Sequence, residues 1–353
     1  MNPSRILMTS GGTGGHVFPA LATAMELSAS GADILFATDL RGEKYLANTD
    51  YRYKLISSAG LGGNALKKLL AATKIFKGLA ESVSLILKYK PDVVIGFGGY
   101  TTFPILLAAK LLRKKIIIHE QNSVMGKVNR QFLKNAVLVG LSFPDTKYTK
   151  IGEVFGNPVR KEIEFSPLPA LGDKIKILIT GGSQGARIFA KFFPESFHQL
   201  AHKISVVHQV PEIDIEALRN EYERLGIEAE LKPFFDDMPK RLAEAHLVIC
   251  RSGSSTVFEL TAAGRPAIFV PLAIAADNHQ MVNAQNIERI GGGWIIPEQE
   301  ATIAKFEYRV KDLVENPAKL VEASNAIHEF AQNDAARKFA QGILKIISNG
   351  AKK

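Results

Sequence analysis

Two glycine-rich turns, about one domain apart, constrain this chain more than any other feature. The first, Gly11-Gly12-Thr13-Gly14-Gly15-His16, follows the apolar run Ile6-Leu7-Met8. The second, Gly181-Gly182-Ser183-Gln184-Gly185-Ala186-Arg187, follows Ile175-Lys176-Ile177-Leu178-Ile179. Each stands where a strand ends and a helix begins. Without side chains in the way, backbone N–H groups there can approach an anion at the positive end of a helix. One such turn is a weak signal. Two in parallel contexts predict twin nucleotide-fold domains facing each other.

The rest of the chain agrees with that reading. Short β-rich runs alternate with helix-length segments, the pattern of a parallel sheet covered on both faces. Strands are predicted at Ile6-Met8, Asp33-Phe36, Val93-Ile95, Ile116-Ile118 and Val137-Val139 in the first half. In the second half they are predicted at Ile175-Ile179, Ile204-Val207, Leu247-Ile249 and Ala267-Val270. Gly156-Asn157-Pro158-Val159-Arg160, followed by Ser166 to Pro169, reads as the interdomain link. From about Pro317 to Ile347 the sequence reads as helix, ending in a frayed basic tail.

The 353 residues, 46% of them hydrophobic, suffice for two ordinary cores. The net charge of +9 is unevenly spread, because the surplus lies entirely before Gly156 and the remainder is close to neutral. The first half therefore favours an anionic partner: nucleic acid, a phospholipid surface or a pyrophosphate-bearing substrate. A single cysteine, Cys250, excludes an intrachain disulfide and fits a reducing compartment. It reads as a buried core thiol, since nothing beside it clearly supplies a base. The apolar start is too short for a signal-peptide core, and Lys110 interrupts the longest apolar stretch. A cytoplasmic protein without a transmembrane span is expected.

The first glycine turn does not match the commonest phosphate-binding signatures. Walker A needs Gly-Lys-Ser/Thr, and here Gly15 is followed by His16. The dinucleotide fingerprint lacks its third glycine, and no acidic residue is read at the end of the second strand. ATPase and dehydrogenase readings both weaken. His16, early in a helix, could take a proton from a hydroxyl nucleophile, or could be an ordinary capping or packing histidine.

Cys250-Arg251-Ser252-Gly253-Ser254-Ser255-Thr256-Val257-Phe258-Glu259 forms a third strand-to-helix turn. Its hydroxyls and N–H groups could cradle a diphosphate, and Glu259 could accept two hydrogen bonds from a ribose diol. Plain Ser/Thr capping is the alternative. Asp277-Asn278-His279-Gln280-Met281-Val282-Asn283 suits sugar hydroxyls, or a solvated helix start. His119-Glu120-Gln121-Asn122 has a similar character, but no HExxH spacing or carboxylate cluster accompanies it, so no metal is expected. From Ala65 to Leu87, Lys67, Lys68, Lys74 and Lys77 mix with Leu69, Leu70, Ile75, Phe76 and Leu79. That is the chemistry of a membrane-surface helix, or of one packing on its own sheet.

Taken together, GGTGGHVFPALA, GFGGY, HEQN, GNPVR, GGSQGAR, CRSG with T-V-x-E, and Asp-x-x-Gln-x-x-Asn resemble one family over nearly the whole chain. It is the MurG family of glycosyltransferase family 28, the UDP-N-acetylglucosamine:lipid I N-acetylglucosaminyltransferases of bacterial peptidoglycan synthesis. The resemblance implies an α/β, GT-B architecture of two Rossmann-like, doubly wound parallel-sheet domains separated by a deep cleft. Residues 1–156 would form the acceptor-binding, membrane-associating domain and 157–330 the UDP-GlcNAc-binding domain. A C-terminal helix, about 330–353, would pack back on the first.

The implied reaction is inverting, β-1,4-forming transfer of GlcNAc from UDP-GlcNAc to the C4 hydroxyl of MurNAc in lipid I, giving lipid II. Matched motifs make His16 the general base. They give donor contacts to Thr13, Gly14, Gly15, Asn122, Arg160, Ser183, Phe235, Ser254, Ser255, Thr256, Val257, Phe258, Glu259 and Gln280. Tyr100, His119 and Glu120 are candidates on the acceptor side. No cofactor is implied. The implied partners are UDP-GlcNAc, lipid I, the anionic inner leaflet and other cell-wall synthesis proteins, at the cytoplasmic face of the bacterial inner membrane. The sequence departs from the family at His279, where a glutamine is usual, and at Phe235, where a smaller aliphatic residue is usual.

Two other readings stay open at this stage. One is a UDP-sugar epimerase or hydrolase on the same architecture. The other is a non-catalytic UDP-sugar-binding subunit of a membrane complex. A nucleic-acid binder is disfavoured, because only one aromatic-poor half is basic.

Overall fold

The computed structural model describes residues 3–60, 64–181 and 187–350. The chain divides into two compact units, Met1–Arg160 with Asn333–Lys353, and Lys161–Gln332. The first unit carries β1 (Arg5–Thr9), β2 (Asp33–Thr38), β3 (Arg52–Leu55), β4 (Val93–Gly96), β5 (Lys115–Glu120), β6 (Ala136–Leu141) and β7 (Glu153–Val154). They form one parallel sheet in the order β3-β2-β1-β4-β5-β6-β7. The second carries β8 (Ile175–Thr180), β9 (Ile204–Gln209), β10 (Glu228–Lys232), β11 (Leu247–Cys250), β12 (Ala267–Phe269) and β13 (Gly293–Ile295). Their order is β10-β9-β8-β11-β12-β13, again parallel.

Successive side chains of a strand point to opposite faces, so a central parallel strand must be apolar at every position. β1 obeys this. Ile6 and Met8 pack on one face with Val17, Ala20, Ala24, Phe339 and Ile343 from the helices Gly14–Ala29 and Ala335–Gly350. Leu7 faces the other way, with Ile86, Ile105, Leu106 and Ala109 from the helices Ala65–Tyr89 and Phe103–Leu111. Each fully buried aliphatic side chain of this kind contributes about 1.5–3 kcal/mol relative to exposure. In the second unit, Ile177, Ile179, Ile249 and Ile268 pack against Phe189, Phe193, Phe197 and Phe306.

Register then decides where the loops emerge. Thr9 pairs with Gly96, and Gly96 with Ile118, so the turns after β1, β4 and β5 leave the sheet side by side. In the second unit Thr180 pairs with Cys250, and Cys250 with Phe269, which brings the exits of β8, β11 and β12 together. Both strand orders reverse direction next to their first strand, and ligands of open α/β sheets bind outside the carboxyl ends at such a reversal.

Two expectations are corrected here. The segment from Pro317 onward is not one helix but two, Ala318–Glu329 and Ala335–Gly350. Between them Asp334 takes φ 65, a left-handed conformation that ends a helix. An acidic residue does stand at the end of the second strand. Asp39 caps the helix Leu40–Leu46 by accepting from Gly42 N–H at 2.9 Å, and also accepts from Gly12 N–H at 3.1 Å. Its carboxylate therefore fixes the first glycine turn rather than standing open for a ribose.

Candidate active site

His16 is the third residue of the helix Gly14–Ala29, whose N-cap Thr13 makes no side-chain capping bond. Its backbone N–H donates to Thr13 O at 3.1 Å. The ring does not cap this helix. It reaches across to the loop after β5, where Nδ1 lies 2.9 Å from Oε1 of Gln121. The other side of the ring lies against the turn after β4. Gly98 and Gly99 hold φ 82 and φ 80 there, and a Cβ on Gly99 would sit 3.3 Å from His16 Cδ2. Both the left-handed backbone and the close approach call for glycine.

The segment after β5 is built inward. His119, Glu120 and Gln121 are buried. His119 Nε2 faces Gly156 O at 3.1 Å, and desolvation lowers its pKa to about 4, so the ring is neutral near pH 7. The Glu120 carboxylate accepts from Asn122 N–H and Nδ2, Gly126 N–H and Asn129 Nδ2, at 2.8–3.3 Å. It is therefore fully engaged in shaping residues 120–129. The His119 and Glu120 side chains, acceptor-side candidates from the sequence, are both buried, and their contacts set the position of Gln121 and Asn122.

Tyr100 is half-buried, with the Arg41 guanidinium 4.8 Å from its ring centroid. Arg41 also bonds Asp39 at 3.3 Å. This places a partly exposed cation beside Gly12 that the sequence reading did not single out. Arg160 lies over the Phe18 ring at 5.3 Å, on the first helix. Thr13, Gly15 and Asn122 are half-buried and Gly14 is buried.

In the second unit, the turn after β11 leads into the helix Ser254–Ala263. Gly253 is its N-cap and supplies no side chain, so Ser/Thr capping at that position is not what this segment is for. Ser254, Val257 and Phe258 are buried, while Ser255, Thr256 and Glu259 are half-buried. Gln280 lies close by. Its Oε1 accepts from Leu272 N–H at 2.9 Å and its carbonyl accepts from Ser252 Oγ at 2.9 Å. Its Nε2 has no partner among the described residues. Arg251 bonds Glu298 at 2.7 Å and Val270 O at 3.0 Å, while Glu298 accepts from Ala273 N–H at 2.7 Å. That clamp, absent from the sequence reading, joins the loops after β11 and β12.

Phe235 is buried, with the Arg241 guanidinium 5.1 Å from its ring centroid, so only its backbone suits a base contact. Ser183 lies outside the described residues. Cys250 is buried, and desolvation raises its thiol pKa, as a core thiol requires. Among the described residues no group of three or more His, Cys, Asp and Glu could hold a metal ion.

Comparison with known proteins agrees with the motifs. The glycosyltransferase family 28 N-terminal domain matches residues 6–139, and its C-terminal domain matches residues 176–339. A UDP-N-acetylglucosamine–N-acetylmuramyl-(pentapeptide) pyrophosphoryl-undecaprenol N-acetylglucosamine transferase of Rhodospirillum centenum is 40% identical, over 98% of this chain and 95% of its own. The protein of the same name from Rhodospirillum rubrum is 40% identical, over 96% of this chain and 91% of its own. The crystal structure of Acinetobacter baumannii MurG aligns with a TM-score of 0.83 at 32% identity, covering 97% of this chain and all of that one.

Proposed function

The chain belongs to glycosyltransferase family 28, and from that premise we propose that His16 is the general base of its transfer reaction. The protein is a hexosyltransferase of peptidoglycan synthesis that moves GlcNAc from UDP-GlcNAc to lipid I. The carrying observation is the ring of His16, oriented through Nδ1 by Gln121 and stacked along two glycines, with no partner on Nε2 among the described residues.

Nε2 takes the proton of the MurNAc C4 hydroxyl as that oxygen attacks the anomeric carbon. The C1–O bond to the diphosphate breaks, and UDP leaves with its electron pair. Attack opposite the leaving group inverts the anomeric centre and gives the β-1,4 linkage. General-base catalysis of this kind contributes roughly 10²–10⁴ in rate. The departing diphosphate needs donors in place, and Ser183, Ser254, Ser255, Thr256 and the first-turn N–H groups of Ser254–Ala263 suit it. Glu259 takes the ribose diol, Gln280 Nε2 a GlcNAc hydroxyl, and backbone at Phe235 the uracil. Val257 and Phe258 shape the pocket wall, and Arg160 closes the nucleotide side. Thr13, Gly14, Gly15 and Asn122 complete donor recognition from the first unit, and Tyr100 serves the acceptor. No tightly bound metal is assigned, so chelation by EDTA is expected to leave turnover unchanged.

The helix Ala65–Tyr89 supports docking on an anionic leaflet, at the cytoplasmic face of the inner membrane where other cell-wall enzymes would meet this one. It exposes Leu69, Leu70 and Phe76, the first and last of these seven residues apart and so on the same face, beside exposed Lys68, Lys74 and Lys77. Among the described residues no helix is long and apolar enough to cross a membrane.

The test is UDP release from labelled UDP-GlcNAc with and without a lipid I analogue. Acceptor-dependent release with disaccharide formation supports transfer. Release without acceptor returns the epimerase or hydrolase reading, which the names of the full-length relatives disfavour.

A further inference from the structure

We propose that Gln121 is a positioning residue that sets the tautomer of His16, through a chain of hydrogen bonds anchored on the backbone carbonyls of His119 and Gly156. The inference rests on the reading of His16 as base, and it says why this ring is ready to accept a proton at Nε2.

The polarity of the chain follows from which atoms can only accept. Gly156 O is such an atom, 3.1 Å from His119 Nε2, so that nitrogen carries the hydrogen. A neutral imidazole carries one, which leaves His119 Nδ1 as an acceptor. Its partner is Gln121 Nε2, also at 3.1 Å. The same Gln121 nitrogen lies 3.1 Å from His119 O, a second acceptor. An amide NH2 has two hydrogens, and both are thereby used.

The opposite flip of the Gln121 amide would set its oxygen against that carbonyl and against the imidazole lone pair. Two independent contacts therefore fix the amide, and Gln121 Oε1 is left facing His16 Nδ1 at 2.9 Å. An amide oxygen cannot donate. His16 must place its hydrogen on Nδ1, and its lone pair stands on Nε2.

Burial makes the chain rigid. Gln121 and His119 have no solvent exposure, so no water competes for these bonds. Phe339 and Phe97 lie 4.8 Å and 5.7 Å from the His119 ring, which keeps it neutral and unable to donate from both nitrogens. An amide between two histidines carries no charge. It orients the base without the electrostatic pull of a carboxylate, which would favour the protonated ring.

Long-range ¹H–¹⁵N NMR of the imidazole signals in the free, full-length protein tests this directly, with His16 assigned by the signals lost in His16→Ala. At pH 8, wild type is expected to show a protonated Nδ1 and an unprotonated Nε2 for His16, by at least about 5:1, since an unpaired buried acceptor costs about 1 kcal/mol or more. In Gln121→Met the preference is expected to collapse, with kcat falling about tenfold and KM for UDP-GlcNAc unchanged. Gln121→Glu keeps an acceptor toward His16, and should restore the Nδ1–H form even where it lowers stability.

A wild-type His16 protonated at Nε2, or a Gln121→Met protein with the wild-type tautomer, overturns the inference. The second result leaves the base assignment standing, whereas the first also removes Nε2 as the atom that takes the proton. Full turnover in His16→Ala overturns the base assignment, and the NMR result stands apart from it.

Discussion

Phe339 lays its ring 4.8 Å from that of His119, so a residue from the last helix seals a histidine at the end of β5. The same ring is 5.3 Å from Phe155 and 6.2 Å from Phe97. The final helix is thus part of the core beneath the proposed base. Phe339→Ala is expected to destabilise the first unit by about 3–5 kcal/mol, the usual result of emptying an aromatic core position. Urea unfolding checks it, and a loss below about 1 kcal/mol would mean that the helix is only loosely attached.

Two buried histidines give the protein an acid-sensitive stability. Desolvation lowers the pKa of His119 to about 4 and that of His208 to about 3. Both lie below the ordinary value of about 6.5 for an unfolded chain. Below that value the unfolded state binds the extra proton, so stability is full above about pH 6.5 and falls as pH drops. Each histidine should cost its unit about 1.4 kcal/mol per pH unit until its folded pKa is reached. Denaturant midpoints at pH 7.5 and pH 5.5 measure this. Equal midpoints would contradict the burial of these rings.

Arg265 is buried with no carboxylate partner among the described residues. It donates to the carbonyls of Leu242 at 2.6 Å, Ser166 at 2.8 Å and Ala243 at 2.9 Å, and also to Ser166 Oγ. Its fork ties the stretch after the interdomain link to the second unit, and no lysine can reproduce five directed donors. Arg265→Lys is therefore expected to cost about 2–3 kcal/mol, measured by thermal unfolding. A neutral effect would show that the carbonyls find water instead.

Much of this architecture was legible before any coordinates. Every central strand was predicted, because burial on both faces forces a continuous apolar run such as Ile116-Ile117-Ile118. The strands that were missed, β3, β7, β10 and β13, are the four sheet edges. An edge need not be apolar throughout, and Arg52-Tyr53-Lys54-Leu55 and Glu228-Ala229-Glu230-Leu231-Lys232 look like loop or helix to a pattern of burial.

His16, Glu259 and Gln280 were singled out because glycine turns and polar clusters after strands carry a local signal. Asp39 and Arg41 were not, and Gln121 was named only within the cluster His119-Glu120-Gln121-Asn122, with no role of its own. Their partners lie 27, 59 and 105 residues away in sequence, at Gly12, Tyr100 and His16, and no local pattern announces such contacts.

Exposed apolar groups on the helix Ala65–Tyr89 make a separate claim. Phe76 is 72% and Leu69 64% exposed. The double variant Leu69→Ser, Phe76→Ser should change stability by no more than about 1 kcal/mol, as surface positions do. Its binding to vesicles containing anionic phospholipid is expected to weaken at least about tenfold, from the loss of roughly 1.4 kcal/mol or more of buried apolar area. Unchanged vesicle binding would move the docking face elsewhere.

The most direct measurement is GlcNAc transfer to a lipid I analogue by wild type and His16→Ala, with UDP-GlcNAc affinity determined for both by calorimetry. Turnover by the variant is expected to fall by about 10²–10⁴ while donor affinity stays within about threefold. Transfer retained at the wild-type rate would remove His16 from the chemistry and contradict the central assignment.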